Sequence, residues 1–181
     1  MLDPSRYSPA QLAVAREIYA FFLDKTSPAG VKVEPWHAAG FVAQADAESA
    51  FQTTARGDHG EAFGLFQMHG DRLQAIERAT GVDMVATPAV ARQLEGVWWE
   101  LTHPELIHFN QILKAKTAYD AGFLACKLWE RAGAPGQPQK RGQGAEGWAA
   151  WLIRDAAREY VPARQEIGST KKCLSISAKV G

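Results

Sequence analysis

The sequence contains little cysteine and carries no excess of charge of either sign. Its 181 residues include two cysteines, Cys126 and Cys173, so at most one disulfide could form and no disulfide framework is indicated. Lys and Arg together number 20, and so do Asp and Glu. A nucleic-acid-binding protein normally presents a strongly basic surface. We therefore expect no nucleic-acid partner.

Long hydrophobic runs are also missing. The most apolar cluster, Tyr19–Leu23, is too short for the core of a signal peptide or for a membrane span. An acidic residue, Asp3, stands close to the start of the chain, where a signal peptide would carry positive charge. These features predict a protein that is made in the cytoplasm without a signal peptide, has no membrane partner and needs other proteins for any export.

Several catalytic motifs are absent as well. There is no Gly-x-x-x-x-Gly-Lys-Ser/Thr phosphate loop and no Gly-x-Ser-x-Gly elbow, so nucleotide hydrolysis and serine esterase chemistry have no support. Among the five histidines, His59 and His69 flank a loop beside Asp58, but neither His-x-x-x-His nor Cys-x-x-Cys spacing occurs. A zinc amidase is therefore not expected. We predict no metal and no cofactor.

A strong helical pattern runs through most of the chain. With 46% hydrophobic residues, a chain of this length can form one domain with its own core. The helices are marked by capping boxes at 8–11 and 71–74, a cap at Thr117, prolines at first helical positions and apolar residues at helical spacing. We place them at about 9–24, 35–48, 71–81, 87–101, after Pro104, 117–131 and 145–160.

The remaining segments are expected to be loops and a tail. Residues 49–63 lose the helical period and contain glycines at 57 and 60, which predicts a loop or a short β-hairpin. A flexible connection is expected at 133–144, and the sequence from Pro162 onward is polar and aperiodic. The prediction is a mainly α fold with a small β element, one domain over 1–161 and a tail over 162–181.

Glu48 is the residue to which simple chemistry assigns the clearest role. It lies at the predicted C-terminal end of the helix at 35–48, with Phe51 close behind it. The many small residues of that helix predict a central helix that its neighbours approach closely. The unpaired carbonyls of a helix end and apolar neighbours both favour the protonated form of a carboxyl. Cleavage of a glycosidic bond needs such a protonated carboxyl to give a proton to the leaving oxygen. A solvated glutamate at a helix end is the alternative.

Glu48 belongs to a series of motifs that extends over much of the chain. The motifs are Glu48-Ser49-x-Phe51, Gly57-Asp58-x-Gly60, Gly64-Leu65-Phe66-Gln67-Met68-His69-x-x-Arg72, Ala118-x-x-x-Gly122-Phe123, Trp129-Glu130-Arg131 and Arg141. Together they resemble the lysozyme-like superfamily, and most of all the phage tail-associated lysozymes, over roughly residues 35–160. Two positions depart from that pattern, Ala132 in place of proline and Met68 in place of tryptophan.

The resemblance implies a lysozyme-like α+β fold with a catalytic cleft and a peptidoglycan glycosidase. Such a muramidase cuts the β-1,4 bond between N-acetylmuramic acid and N-acetylglucosamine, with Glu48 as general acid. The side chains and backbone expected to contact the glycan are those of Ser49, Gly64, Phe66, Gln67 and His69. The partner is then the glycan strand of bacterial peptidoglycan. The protein would act on the cell wall as a monomer or in a phage tail assembly, carried by the virion or released by a holin or secretion system.

Asp58 is the candidate for the second carboxylate of such an enzyme. It lies ten residues after Glu48, on a loop expected to face the helix end, and an inverting hydrolase needs a base across a water from the acid. An Asx-turn within the Gly57–Gly60 loop is an equal alternative for Asp58. Glu61 is a poorer candidate, and Glu130 is expected to anchor helix packing through an ion pair.

Two other functions remain open. In a lytic transglycosylase the muramoyl C6 hydroxyl attacks instead of water, and one glutamate serves as acid and then base. The run Tyr119-Asp120-Ala121-Gly122 resembles the Ala-Tyr-Asn-Ala-Gly motif of those enzymes. The third function is that of a non-catalytic module, which binds glycan or has a structural role in a phage tail.

Overall fold

The structure, a computed structural model, describes residues 2–159, so the predicted tail at 162–181 lies outside the described residues. That part of the chain contains seven α-helices, which confirms the mainly helical prediction. They are α1 (Pro9–Leu23), α2 (Pro35–Ser49), α3 (Gly70–Thr80), α4 (Val90–Thr102), α5 (Leu106–Ile112), α6 (Ala118–Leu124) and α7 (Gln137–Glu159). A π-helix over Ala125–Glu130 continues α6 without a break. Over the same residues, no helix combines the length and apolarity that crossing a membrane requires.

A small antiparallel sheet follows α2 and confirms the predicted β-hairpin. Its three strands are β1 (Arg56–Gly57), β2 (Ala62–Phe63) and β3 (Met68–His69). β2 is central, with Arg56 opposite Phe63 on one side and Ala62 opposite His69 on the other. Strands of two residues make few ladder hydrogen bonds, so side chains must hold this hairpin in place.

α2 is the central helix of the fold. Its Ala38, Ala39 and Phe41 are fully buried, and α1, α6 and α7 pack around it. The small residues of α2 permit this close approach: a Cβ at Gly40 would stand 3.1 Å from the backbone nitrogen of Gly122 in α6. The sequence-based expectation of a small-residue helix with close neighbours is therefore confirmed.

Helix starts that depend on local hydrogen bonds agree with the sequence. The backbone nitrogen of Gln11 donates to Ser8 Oγ at 3.2 Å, and Ser8 nitrogen donates to Gln11 Oε1 at 2.8 Å, which completes the predicted capping box of α1. Thr117 Oγ1 accepts from Asp120 nitrogen at 3.0 Å and caps α6. Both caps satisfy N–H groups that no earlier helical turn can satisfy.

Two helix starts differ from the prediction. The sequence predicts a capping box that opens a helix at Asp71, but α3 begins at Gly70 with His69 as its N-cap and no side-chain cap bond. His69 is also the last residue of β3, so pairing with β2 decides where the chain turns into the helix. Likewise α4 begins at Val90 rather than at Thr87.

The flexible connection expected at 133–144 is wrong for most of its length, because α7 begins at Gln137. Two of its glycines, Gly142 and Gly144, are contact points between helices. A Cβ at Gly142 would lie 2.8 Å from the ring of Tyr119. From the other side, a Cβ at Gly122 of α6 would lie 2.6 Å from the carbonyl oxygen of Arg141. In the sequence alone, these glycines indicate flexibility. In the fold they permit α6 and α7 to pack at short distance, and Arg141 therefore lies on a packed helix.

Candidate active site

Glu48 lies in the last turn of α2, where an arginine from α7 holds it. Arg141 Nη2 donates to Glu48 Oε1 at 2.7 Å, and Arg141 Nη1 donates to the carbonyl oxygen of Gln44 at 3.1 Å. The side chain of Arg141 is 7% exposed and that of Glu48 is 21% exposed. Glu48 is thus a partly exposed carboxyl whose position is fixed by the buried guanidinium of Arg141. Behind it, Phe51 is buried as expected.

A second buried ion pair lies deeper in the fold. Arg72 of α3 donates from Nε and Nη2 to the two carboxylate oxygens of Glu100, at 2.7 and 3.0 Å. Trp129 Nε1 donates to the same carboxylate at 2.8 Å. The side chain of Glu100 is 3% exposed. This bidentate pair with a third donor satisfies the Glu100 carboxylate in spite of its burial.

Glu130 stands between these two ion pairs, at the end of the π-helix. Its Oε2 lies 3.9 Å from Arg72 Nη1, so an arginine faces it from α3, and its side chain is 5% exposed. Burial raises the pKa of Glu130 to about 8; the charges of Arg72 and Arg141 oppose the rise, while those of Glu48 and Glu100 add to it. This rise in pKa favours the neutral form of Glu130. We call the five ionisable residues the charge cluster: Glu48, Arg72, Glu100, Glu130 and Arg141.

The tip of the β-hairpin carries two exposed carboxylates and a histidine. His69 Nε2 is 3.7 Å from Asp58 Oδ2 and 3.5 Å from Glu61 Oε2. The backbone of Asp58 and of His59 is left-handed, with φ of 46° and 58°. Among the described residues, no N–H of the Gly57–Gly60 loop donates to the Asp58 carboxylate, so the structure shows no Asx-turn there. The structure brings Asp58 and His69 together at the surface.

The turn between β2 and β3 is fastened to α2 and to the preceding loop. Ser49 Oγ, next to Glu48, is within 2.9 Å of the carbonyl oxygen of Leu65 and 3.0 Å of that of Ala45. Gln67 Nε2 donates to the carbonyl oxygen of Gly64 at 2.9 Å and to that of Ala55 at 3.2 Å. Ser49 and Gln67 therefore direct their hydrogen bonds to backbone carbonyls.

Phe66 and Gly64 lie inside this turn. The ring of Phe66 is 1% exposed and packs on Trp129 with centroids 5.4 Å apart, so it belongs to the core. Gly64 has φ of +79°, and a Cβ there would collide with the side chain of Gln93. Of the five residues expected to contact glycan, Gln67 is half-buried and His69 is exposed; the other three are buried.

Sequence reasoning missed Gln93, which organises the hairpin from α4. Its Oε1 accepts from Leu65 nitrogen at 2.7 Å and its Nε2 donates to the carbonyl oxygen of Thr53 at 2.7 Å. The side chain is 2% exposed. A signal was present: Gln93 is three residues after Val90 and four before Val97, on the apolar stripe of its helix. A polar residue on such a stripe indicates a buried hydrogen-bonding role.

The family model of phage tail lysozymes matches residues 13–152, a stretch that contains Glu48, the β-hairpin, the π-helix and Arg141. The chain belongs to the phage tail lysozyme family. No curated protein matches the sequence significantly. Membership confirms the resemblance seen in the motifs, and it implies a lysozyme-like glycoside hydrolase that degrades peptidoglycan in the context of a phage tail.

In this phage tail lysozyme, the arrangement around Glu48 leaves one carboxyl open to a ligand. The carboxyl is accessible to a ligand on one side and contacts Arg141 on the other. The hairpin that carries Asp58 and His69 connects to the neighbouring residue Ser49. A glycan that reaches Glu48 would therefore meet one carboxyl on a rigid helix and a polar hairpin beside it.

Proposed function

We propose that this chain is a muramidase in which Glu48 is the general acid for cleavage of the β-1,4 bond between N-acetylmuramic acid and N-acetylglucosamine. The observation that carries the proposal is the placement of Glu48: a partly exposed carboxyl at the end of the central helix, 2.7 Å from buried Arg141. General acid catalysis needs a carboxyl with fixed position and access to the glycosidic oxygen. The family supplies the lysozyme-like activity and the peptidoglycan substrate.

We assign the glycan-binding residues to two different roles. Gln67 and His69 are accessible enough to contact sugar, and Gln67 Oε1 makes no hydrogen bond within residues 2–159, which leaves it free to accept one from a hydroxyl or an N-acetyl group. The other three residues do not contact the sugar in this proposal. They fix the position of the turn that presents Gln67, and they are Ser49, Gly64 and Phe66.

Replacing Gln67 with Ala is expected to weaken binding and turnover together. The variant loses the amide that spans Gly64 and Ala55 as well as the proposed sugar contact. The expected loss of transition-state stabilisation is ~1–3 kcal/mol, the scale for a polar group left without its partner. Steady-state kinetics on soluble glycan fragments measures it, with Gln52→Ala, an exposed glutamine of the same loop, as the control. If Gln67→Ala were fully active, the role of Gln67 would be packing of the turn and not sugar binding.

Asp58 is proposed as the base that activates water, with His69 beside it at 3.7 Å. In that mechanism Asp58→Asn loses about 10²–10⁴-fold in rate, because the amide cannot take the proton of the water. The products then carry a reducing end, which first appears in the α configuration if the enzyme inverts. Mass spectrometry of muropeptides released from purified walls measures the product, and NMR of fresh product gives the anomer.

The same experiment has an outcome that assigns the alternative reaction. Products that end in 1,6-anhydromuramic acid, together with an active Asp58→Asn variant, would identify a lytic transglycosylase. The substitution would then cost little beyond local stability, since Asp58 is an exposed residue of the hairpin tip. Glu61→Gln is the matched control, because Glu61 contacts the same His69 at 3.5 Å and has no proposed chemical role.

A further inference from the structure

The charge cluster holds an odd number of ionisable groups. Three carboxyl groups face two guanidinium groups: Glu48, Glu100 and Glu130 against Arg72 and Arg141. These side chains come from α2, α3, α4, α7 and the π-helix. Buried charge without a partner is strongly unfavourable. With both arginines charged, the cluster is neutral when one of the three carboxyls carries a proton.

Two atoms of the cluster make no hydrogen bond. They are Glu130 Oε1 and Arg141 Nε, and both are buried and without a partner in the described part of the chain. Each belongs to a side chain that is more than nine-tenths buried. A guanidinium donates from Nε as well as from both Nη atoms, so Arg141 retains a free donor while it binds Glu48. Glu130 retains a free acceptor.

We propose that Glu130 is the second ion-pair partner of Arg141, and that a shift of Arg141 from Glu48 to Glu130 leaves the cluster's proton on Glu48. The proposal rests on the proposed role of Glu48 as general acid. In the resting state Arg141 pairs with the Glu48 carboxylate and Glu130 is neutral. In the active state the proton has moved from Glu130 to Glu48, directly or through water, and the Glu130 carboxylate pairs with Arg141. Glu130 is thus a positioning residue that touches no substrate.

The proton balance closes over one turnover. Glu48 gives its proton to the glycosidic oxygen as the bond to the leaving sugar breaks, and it becomes a carboxylate that Arg141 can bind again. The attacking water bonds to the sugar carbon and releases one proton. That proton, taken from the base or from solvent, restores the neutral form of Glu130. No other reactant is required.

The groups around Glu130 support this assignment of the proton. Burial raises the pKa of Glu130 to about 8, with the carboxylates of Glu48 and Glu100 acting in the same direction and Arg72 and Arg141 against it. Cys126, one turn earlier on the π-helix, is buried and has a raised pKa, chiefly because of that burial, so its thiol adds no charge. Interacting carboxyls of this kind titrate as a set rather than one by one.

Glu130→Gln tests the proposal through the pH dependence of kcat/KM. Glutamine matches the neutral carboxyl in size but cannot take the charge of Arg141, so Arg141 stays on Glu48 and opposes its protonation. We expect the alkaline limb of the profile to move to lower pH by about one unit, which is roughly a tenfold loss at a fixed pH on that limb. Activity should recover as the pH is lowered. Glu95→Gln, an exposed glutamate paired with Arg92, is the control.

A purely structural Glu130 would give a different result. The variant would then unfold at lower denaturant concentration but would keep the alkaline limb of the wild-type profile. A wild-type limb in folded Glu130→Gln overturns the proposal.

If Glu130→Gln does not fold, infrared titration of the protonated carboxyl band tests the proposal instead. In the wild-type protein this band should disappear around pH 8, the region set by Glu130. In Glu48→Gln, Arg141 has lost its carboxylate partner and can pair with Glu130, so the band should disappear at clearly lower pH. An unchanged midpoint overturns the proposal. Wall cleavage by Glu48→Gln would instead overturn the role of Glu48, so the two failures are distinct.

Discussion

Glu48→Gln is expected to abolish cleavage of purified cell walls while the protein stays folded. The amide is nearly the same size as the carboxyl, and Arg141 Nη1 can keep its hydrogen bond to the carbonyl oxygen of Gln44 at 3.1 Å. It cannot deliver a proton, so the loss falls on the chemical step. Removal of a general acid lowers rates by about 10²–10⁴-fold, and clearing of turbid wall suspensions measures it.

The controls for this experiment separate chemistry from folding. Urea unfolding should give nearly the wild-type free energy, since the hydrogen bond from Arg141 to the carbonyl oxygen of Gln44 still joins α7 to α2. The same substitution at Glu95, which is exposed on α4, should leave cleavage unchanged. A stable Glu48→Gln variant that keeps more than about a tenth of wild-type activity would show that Glu48 is not the general acid, because loss of a general acid lowers the rate much further. A non-catalytic module, in contrast, would show no cleavage even in the wild-type protein.

Phe66→Ala is expected to have the largest effect on stability. Its ring is 1% exposed and packs on Trp129, so truncation removes buried contacts and leaves a cavity. Such substitutions cost ~3–5 kcal/mol of unfolding free energy, a large part of the ~5–15 kcal/mol that a domain has. Urea denaturation followed by circular dichroism measures the loss.

A matched variant distinguishes packing from sugar binding at the same position. Phe66→Leu keeps most of the buried volume, so it should lose much less stability than Phe66→Ala. Catalytic efficiency should fall in step with the folded fraction in both variants. A raised KM in a fully stable Phe66→Ala protein would contradict the core placement, since it would mean that the ring contacts glycan.

Both predictions bear on how the hairpin supports the proposed acid. The turn at Gly64–Gln67 is held by Ser49 from α2, by Gln93 from α4 and by the ring of Phe66 in the core. Its strands have two residues each, so these contacts, rather than the strand pairing, determine its position. A lysozyme-like site built in this way depends on core packing for the geometry of a surface hairpin.

Features that depend on a few adjacent residues were determined by the sequence. The capping box of α1 and the Thr117 cap of α6 are local hydrogen bonds, so the sequence predicts them directly. The small residues of α2 indicated a central helix because only such a helix lets neighbours approach closely. The position of Glu48 at the end of that helix also follows from local sequence, because the helical pattern ends there and the family motifs begin.

Features that depend on distant residues were decided by the tertiary structure. The start of α3 follows from strand pairing, and the start of α7 within a predicted flexible segment follows from packing on α6. Arg141 reaches Glu48 across 93 positions of sequence, and no local pattern specifies that contact. The charge cluster is of the same kind: the raised pKa of Glu130 results from burial and from charges on four other elements. Electrostatic interactions act through space, so only the folded chain determines which carboxyl keeps the proton.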